Sequence, residues 1–299
     1  MTIFDEIQAS IARLAQDAGS SVVGIGQRWG VGSGIVLGEG RVLTNAHNVR
    51  GGHATVTFAD GRTAEGTVAG HDIDRDLAVI EADTGQAPAL PWASDAPAIG
   101  MAVFALANPG GRGLRVTFGF VSGIDRSFRG PRGLRITGSL EHTAPLLPGS
   151  SGGPVLAAGG QLLGINTNRL GEGFYLAIPA DEALRARADA LGRGETVKPP
   201  QLGITITPGH VARRMRRAVG LPDTEGLLIR DVAEGSPAAR AGLASGDLIV
   251  AAAGQPTRTV DDLFGALQAA VGETIELKVV HGTDERTVQV VLGQPGAQA

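Results

Sequence analysis

A long series of short apolar runs, broken by turn residues, constrains this chain more than any other feature. Between residues 21 and 167 the runs include Gly34–Leu37, Ala54–Phe58, Leu77–Ile80, Met101–Leu106 and Val116–Val121. Gly, Asp, Asn and Pro separate them, and the 299-residue chain contains 46 glycines. No helical pattern alternates with these runs, so a βαβ sheet is disfavoured and barrels or a sandwich are favoured.

Helical patterns occur on either side of this β-rich region. Near the N-terminus apolar residues recur at helical spacing, namely Ile3, Ile7, Ile11 and Leu14, and predict an amphipathic helix. An Ala- and Arg-rich helix is predicted from Asp181 to Leu191. The predicted division is a helix at 1–20, a first domain at 21–193, a linker at 194–200, a second domain at 201–294 and a flexible tail at 295–299.

Composition excludes several classes of function. The net charge of -4 is too small to indicate nucleic acid or an anionic membrane as a partner. The chain has no cysteine, which excludes a thiolate nucleophile, thiolate metal sites and disulfides. Metalloprotease and phosphate-loop motifs are absent, so no cofactor and no metal are expected.

The N-terminal residues and the apolar runs bear on location. No apolar run reaches the roughly 18 residues that span a bilayer. The segment Met1–Glu6 is acidic and lacks the features of a signal peptide. We therefore expect a cytoplasmic location for the chain as written, and a periplasmic or other extracytoplasmic location if an export segment has been removed.

Glycines surround a serine in Gly149-Ser150-Ser151-Gly152-Gly153-Pro154. A serine hydroxyl becomes a good nucleophile only beside a base, and acyl transfer needs donors aimed at the developing oxyanion. Glycines allow the tight turn that presents backbone N–H groups, because they tolerate positive φ. The segment predicts a nucleophile at Ser151 within an oxyanion loop of Gly149, Ser150 and Ser151. The N–H groups of Gly149 and Ser151 are the candidate donors.

The same letters also satisfy G-x-S-x-G, the nucleophile elbow of α/β-hydrolases. That elbow needs a helix straight after the serine, and Pro154 followed by Val155-Leu156 and two more glycines is a poor helix. Chain order opposes the elbow as well, because there the acid and the histidine follow the serine. Here the best candidates for both precede it.

His47 and Asp76 are those candidates. His47 follows an apolar strand at the start of a loop, and Asp76 directly precedes another apolar strand. An orienting carboxylate should be buried, which favours Asp76 over Asp72 and Asp74, and those two are expected to be solvated. The order His47, Asp76, Ser151 is that of chymotrypsin-like enzymes. In that scheme Ser151 attacks the scissile carbonyl, His47 acts as base and then acid, and Asp76 holds the imidazole tautomer.

Short motifs occur over nearly the whole chain, and together, in this order, they resemble those of one protein family. In the first domain they are Gly32–Val36, Thr44–His47, Asp76–Val79, Asn108–Gly110, Gly119–Ser122, Gly149–Pro154, Gly164–Thr167 and Ala177–Pro179. In the second they are Leu202–Ile204, Gly235–Ala238, Ala241–Leu243 and Gly246–Asp247. The chain resembles HtrA (Deg) serine proteases. The resemblance implies a mainly β protein, with a trypsin-like double six-stranded β-barrel followed by a small α+β PDZ domain.

Substrate contacts in the first domain are also implied by the resemblance. In such proteases the stretch matching Gly164–Thr167 pairs with the substrate as an added strand. Ile165, Asn166 and Thr167 are therefore expected to bind substrate, and Leu147 is expected to shape the pocket for the residue before the cut.

Peptide binding by the second domain and self-association are implied in the same way. The segment matching Leu202, Gly203 and Ile204 offers N–H groups to a C-terminal carboxylate, and the peptide lies between that segment and the helix carrying Leu263 and Leu267. The family often forms trimers, so a homo-oligomer through the N-terminal helix is expected.

The function implied is an ATP-independent serine endopeptidase that cleaves unfolded or misfolded proteins, with a preference for a small or medium apolar residue before the cut. Its partners would be unfolded substrates and C-terminal or extended peptides. The alternative is a peptide-binding chaperone or scaffold with a silent protease site. Three features depart from the family pattern: Ser150 before the nucleophile, Asn48 in place of Val, and a run at 143–148 that lacks an acidic residue and is one residue shorter.

Overall fold

The computed structural model describes residues 2–27, 30–38, 40–49, 51–131, 133, 135–195, 201–207, 209–270 and 274–292. The chain separates into two compact units, Met1–Val197 and Lys198–Ala299. Residues 196–200 of the predicted linker and the whole predicted tail at 295–299 lie outside the described residues.

Six antiparallel strands close the first barrel of the first unit in the order β1-β2-β3-β6-β5-β4. They are β1 (Val22–Gln27), β2 (Gly30–Gly38), β3 (Arg41–Thr44), β4 (His53–Thr57), β5 (Thr63–Asp72) and β6 (Leu77–Glu81). β-Branched side chains such as Ile25, Val36 and Val56 fill the interior, as expected for residues that pack well on a pleated surface.

A second barrel follows in the order β10-β11-β12-β9-β8-β7. Its strands are β7 (Ala102–Ala107), β8 (Arg115–Arg129), β9 (Arg135–His142), β10 (Pro154–Leu156), β11 (Leu162–Gly171) and β12 (Phe174–Pro179). One apolar cluster joins the two barrels, because Leu43 and Leu77 of the first pack with Leu106 and Leu156 of the second. The predicted double six-stranded barrel is confirmed.

Two helices pack on this unit. Helix α1 (Ile3–Asp17) begins with a capping box between Thr2 and Asp5, which satisfies N–H groups that the first turn leaves unpaired. Leu14 at its other end is buried in the inter-barrel cluster, whereas Phe4 is 78% exposed. Helix α2 (Glu182–Gly192) falls within one residue of the predicted helix at Asp181–Leu191, and Asp181 caps it by accepting the N–H of Leu184.

The expectation that Asp72 and Asp74 are solvated is wrong. Asp72 is 2% and Asp74 is 7% exposed. Asp72 accepts the N–H of Arg75 and lies 3.1 Å from Nη1 of Arg187 in α2. The positive partner is more than 100 residues away in the chain, so the local pattern contains no sign of this pair.

The second unit is a single sheet in the order β13-β14-β15-β17-β18, with β16 paired to β15. Its strands are β13 (Ile204–Thr207), β14 (Leu227–Val232), β15 (Asp247–Ala252), β16 (Gln255–Pro256), β17 (Thr274–His281) and β18 (Asp284–Val291). Its helices are α3 (Gly209–Ala218), α4 (Pro237–Arg240) and α5 (Val260–Ala269). Strand β13 is an edge strand, and α5 contributes Leu263 and Leu267 to the core beneath the sheet. This is the predicted small α+β domain.

A buried charge in this unit is compensated by several partners. Asp247 at the start of β15 has no exposed surface. It accepts the N–H of Ala244, lies 2.9 Å from Nδ1 of His281 and accepts from Arg286 at 2.6 Å. Burial acts to raise the pKa of Asp247, but these hydrogen bonds and the Arg286 charge outweigh it and lower that pKa.

His142, at the end of β9 in the second barrel, is a fully buried histidine. Its Nε2 lies 2.9 Å from Oδ1 of Asn166, and its ring stacks on Tyr175. Nδ1 is buried and has no hydrogen-bond partner among the described residues. Burial lowers the pKa of His142 from 6.5 to about 4, against the opposing effect of the Asn166 hydrogen bond.

We predict that this buried histidine makes the first unit acid-sensitive. An unfolded chain binds a proton at His142 below about pH 6.5, whereas the folded chain does not until about pH 4. The contribution of His142 to the free energy of unfolding is therefore fully present above pH 6.5. It is lost as the pH drops towards 4, by roughly 3 kcal/mol at most. His142→Gln should flatten this dependence in urea unfolding followed by tryptophan fluorescence.

Both tryptophans precede residue 100 of the sequence, so this signal reports on the first unit. The exposed His210 in the second unit supplies the control, because His210→Gln should leave the dependence unchanged. An identical pH slope in wild type and His142→Gln would contradict the assignment.

Candidate active site

The predicted triad lies on one groove with a cavity volume of about 620 Å³. His47 and Asp76 come from the first barrel, and Ser151 comes from the loop before β10 of the second. These residues are separated by up to 104 positions in the chain, and barrel packing brings them together. The sequence contains the residues, whereas the docking of the barrels creates the groove.

His47 and Asp76 form a close pair. Nδ1 of His47 lies 2.9 Å from Oδ1 and 2.8 Å from Oδ2 of Asp76, and the backbone N–H of His47 donates to Oδ1. Thr167 adds a hydrogen bond from its hydroxyl to Oδ2 at 2.8 Å. A carboxylate accepts only, so Nδ1 carries the proton and Nε2 has a lone pair available.

Asp76 is buried, with 2% of its surface exposed, and it adopts a positive φ of 58°. A non-glycine residue in this region carries strain, which surrounding contacts must offset. Asn45 contributes to that offset by donating from Nδ2 to the carbonyl oxygen of Asp76. The carboxylate is therefore fixed at both its side chain and its backbone.

The Ser151 hydroxyl donates to the carbonyl oxygen of Thr167 at 3.1 Å. It makes no recorded hydrogen bond to His47 among the described residues. Nucleophile and base therefore share the groove without the hydrogen bond that proton transfer requires. Such contacts are often loose in an unliganded site and tighten when substrate binds.

The backbone of Ser151 is anchored by the first barrel. Its carbonyl oxygen accepts the N–H of Ser33 at 2.9 Å and Nδ2 of Asn48 at 2.8 Å. Ser33 also donates from its hydroxyl to the carbonyl of Gly149. In the sequence, Asn48 stands out only as a departure from the family pattern and Ser33 has no visible role, because contacts across more than 100 residues leave no local signal.

The predicted oxyanion loop divides into two kinds of N–H group. The N–H of Ser150 already donates to the carbonyl of Leu147, so Ser150 is not an available donor. No acceptor is recorded for the N–H groups of Gly149 and Ser151 within the described ranges. Only glycine fits at position 152, because a Cβ there would lie 2.0 Å from the carbonyl oxygen of Ser33 and the backbone has a φ of +87°.

The four predicted substrate-binding residues do not all reach the groove. Leu147 is 52% exposed and lines it, and Thr167 lines it beside Ser151. Ile165 is buried in the inter-barrel cluster, with β10 on one side and β12 on the other. Asn166 is fully buried, and its backbone bonds to Gly152 and Gly153. The residues of β11 that line the groove begin at Thr167 and continue through Asn168 and Arg169.

The five predicted residues of the second unit line a groove of about 400 Å³: Leu202, Gly203, Ile204, Leu263 and Leu267. The groove runs beside edge strand β13 and has the apolar side chains of α5 on its wall. The N–H groups of residues 202 and 203 have no recorded acceptor in the described part of the chain. An open strand edge beside apolar pockets is the arrangement that accepts an added peptide strand.

Within the described residues, no helix has the length and apolar character needed to cross a membrane. No group of three or more His, Cys, Asp or Glu side chains there is arranged to hold a metal ion.

Family models match both units. The model of the trypsin-like peptidase domain matches residues 32–165, and that of the PDZ domain matches residues 228–280. The first match contains His47 and Asp76 and also covers Ser151. The second contains β14 to most of β17 and the α5 residues of the apolar groove.

Curated relatives match across both units. Serine protease HhoA of Synechocystis sp. is 36% identical over 284 residues, which cover 89% of this chain and 71% of that protein. A DegP-like periplasmic serine endoprotease of Halomonas elongata is 34% identical, covering 89% of this chain and 57% of that protein. Serine protease Do-like HtrA of Bacillus subtilis is 30% identical, covering 89% and 64%. The chain thus spans 57% to 71% of the length of these relatives.

Solved structures resemble the chain over nearly its whole length. The serine endoprotease from Yersinia pestis has a TM-score of 0.71 and 27% identity, covering 98% of both chains. The HtrA-type protease AlgW with a decapeptide has a TM-score of 0.73 and 25% identity, covering 96% of this chain and 99% of that one. Together with a relative that is 36% identical over most of both chains, these likenesses show that the chain belongs to the HtrA (Deg) family of serine proteases.

Proposed function

We propose that this chain is an ATP-independent serine endopeptidase that cleaves unfolded or misfolded proteins through an acyl-enzyme. The observation that carries the proposal is the His47–Asp76 pair, with Nδ1 2.8 Å from the carboxylate, on the same groove as Ser151. A silent site would not need a buried carboxylate that holds the histidine tautomer. The alternative of a chaperone or scaffold is therefore not favoured.

The proposed mechanism begins with rotation of the Ser151 hydroxyl away from the Thr167 carbonyl and towards Nε2 of His47. His47 takes the hydroxyl proton as Ser151 attacks the scissile carbonyl, and Asp76 stabilises the resulting imidazolium. The N–H groups of Gly149 and Ser151 stabilise the oxyanion. His47 then protonates the leaving amine as the scissile C–N bond breaks. Water next attacks the acyl carbon while His47 takes its proton, and His47 returns that proton to Oγ of Ser151 as the ester bond breaks and the acid product leaves.

The substrate class follows from the wall of the groove. Leu146, Leu147 and Tyr175 line it beside Ser151, which suits an apolar residue before the cut. Backbone pairing along a strand edge requires an extended substrate segment, and unfolded chains supply such segments. We propose unfolded proteins as substrates on this basis and by likeness to the family.

We expect Ser151→Ala to abolish labelling by a fluorophosphonate and to lower casein hydrolysis by about 10⁴-fold or more, because no other group forms the acyl-enzyme. Labelling is measured by gel fluorescence and hydrolysis by release of dye from labelled casein. Ser94→Ala, at an exposed serine away from the groove, is the control and should keep both activities. Wild type that stays unlabelled, even with a peptide for the second unit present, would refute the enzyme proposal.

We propose that the second unit binds the free C-terminus of a peptide, with the carboxylate at the N–H groups of residues 202–204 and the strand between β13 and α5. Support comes from the open edge of β13 and from Leu263 and Leu267 on the groove wall. Structures of the HtrA-type protease AlgW contain a bound decapeptide and a bound tripeptide.

Gly203→Ala should weaken binding of a fluorescein-labelled decapeptide with an apolar C-terminal residue by at least about tenfold. At Gly203, with φ +74°, an added Cβ would lie 2.3 Å from Cβ of Ser236 and displace the carboxylate loop. Gly254→Ala is the matched control, because Gly254 has the same φ of +74° with nothing within 4 Å. Both substitutions carry a similar backbone cost. Equal anisotropy titrations for the two variants would contradict the proposed carboxylate site.

We further propose that α1 mediates self-association, as a trimer by likeness to the family. Its C-terminal half packs on the core through Leu14, while Ile3 and Phe4 are 68% and 78% exposed. Large apolar side chains at such exposure favour burial against another copy.

Replacing Ile3 and Phe4 with serine should lower the mass measured by light scattering to that of the 30.4 kDa monomer. Substitution of Ile99, which is 66% exposed outside α1, should not change the mass. An unchanged mass for the double variant would contradict self-association through α1.

The location of the protein stays a prediction. Relatives that are named as periplasmic favour the extracytoplasmic option.

A further inference from the structure

The groove around Ser151 has a positive charge that the cleavage chemistry does not use. Among the described lining residues, Arg129 and Arg169 carry guanidinium groups, and Arg129 donates from Nη1 to the carbonyl oxygen of Gly133. Among the described lining residues, Asp76 carries the one carboxylate. It is buried, and its oxygens accept hydrogen bonds from His47 and Thr167. A substrate entering the groove therefore meets the guanidinium group of Arg169 and no exposed carboxylate on the described walls.

Arg169 is held in place on β11. Its Nε donates to the carbonyl of Gly171 at 2.8 Å, and its guanidinium carbon lies 6.0 Å from the ring centroid of Tyr175. Tyr175 is also the register partner of Arg169 on β12. No carboxylate pairs with Arg169 in the described part of the chain. The charge is thus oriented by a backbone bond and an aromatic face without being neutralised.

The edge of β11 that carries Arg169 is open on the groove side. Strand β10 pairs only with the part of β11 from Leu162 to Ile165, and β12 occupies the other edge. The N–H of Arg169 bonds locally to Oδ1 of Asn168 at 2.8 Å, a contact that a substrate strand would replace.

Antiparallel pairing along this edge fixes which substrate residue meets Arg169. The hydroxyl of Ser151 lies 3.1 Å from the carbonyl of Thr167, so the residue before the cut lies next to Thr167. Arg169 is two residues after Thr167 on β11. Because the strands run in opposite directions, Arg169 lies opposite the third substrate residue before the cut. Side chains directly opposite each other in an antiparallel pair are about 5 Å apart at Cβ, within reach of an ion pair.

We infer that Arg169 makes the protease select substrates with Asp or Glu at the third residue before the cut. This rests on the proposed endopeptidase function and adds a charge requirement to the apolar residue at the cut itself. An ion pair with solvent access is weak and is screened by salt, so the expected preference for Glu over Gln at this position is about twofold to fivefold.

The test uses three internally quenched peptides that differ only at this position, as Glu, Gln or Lys. Each has Val before the cut and an amidated C-terminus, so that the carboxylate site of the second unit is not engaged. Wild type should give kcat/KM values in the order Glu, Gln, Lys, and salt raised from about 0.05 M to about 0.5 M should narrow the differences.

Variants of Arg169 locate the effect. Arg169→Gln should bring the Glu-to-Gln ratio of kcat/KM to about one, and Arg169→Glu should reverse the order so that the Lys peptide is cut fastest. Arg115→Gln is the control, because Arg115 is an exposed arginine of β8 outside the groove, and it should keep the wild-type ratio. A preference that survives Arg169→Gln, or equal rates for all three peptides, would overturn the inference.

A binding measurement separates this inference from the proposed function. Anisotropy of the same peptides with Ser151→Ala, with and without Arg169→Gln, reports the charge preference in the absence of cleavage. If wild type cleaves none of the peptides, the endopeptidase proposal fails for these sequences. The binding order then still decides whether Arg169 selects acidic residues, since equal affinities for Glu and Lys peptides would refute it.

Discussion

The site depends on the carbonyl oxygen of Ser151, which is held by two donors from the other barrel. The N–H of Ser33 and Nδ2 of Asn48 both reach it, at 2.9 and 2.8 Å. Ser33 also holds the carbonyl of Gly149 and so fixes both ends of the nucleophile turn. Because both donors belong to the first barrel, the nucleophile is placed only when the barrels are docked. The apolar cluster between the barrels therefore stabilises the fold and also forms the site.

Asp76 shows how the fold supports a strained, buried charge. A carboxylate removed from water is costly unless hydrogen bonds replace its hydration, and its positive φ adds strain. Here His47 contributes a backbone and a ring N–H, Thr167 contributes a hydroxyl, and Asn45 supports the backbone. Thr167 comes from the second barrel, so the acid of the pair is also fixed from both sides of the groove.

Both units present an open strand edge to a peptide, but they select it by different chemistry. On β11 the edge lies beside a nucleophile, apolar side chains and the unneutralised guanidinium of Arg169. On β13 the edge lies beside backbone N–H groups at 202 and 203 and the apolar wall formed by Leu263 and Leu267. Backbone pairing supplies affinity in each case, and the neighbouring side chains supply the selectivity.

The sequence by itself determined a β-rich first domain, a second domain with its own helices and the order of the candidate triad, and the double barrel followed from the family resemblance that the ordered motifs carry. The features read from the residues depend on local properties: short apolar runs between turn residues, glycines that tolerate positive φ, and Pro154 preventing a helix after Ser151. Only the tertiary structure decided that Asp72 is buried, that Asn166 lies in the core instead of the groove, and that Asn48 holds Ser151. Those outcomes depend on contacts such as the 103-residue separation between Asn48 and Ser151. Local patterns cannot encode such pairs, because the partner is chosen by how the barrels pack.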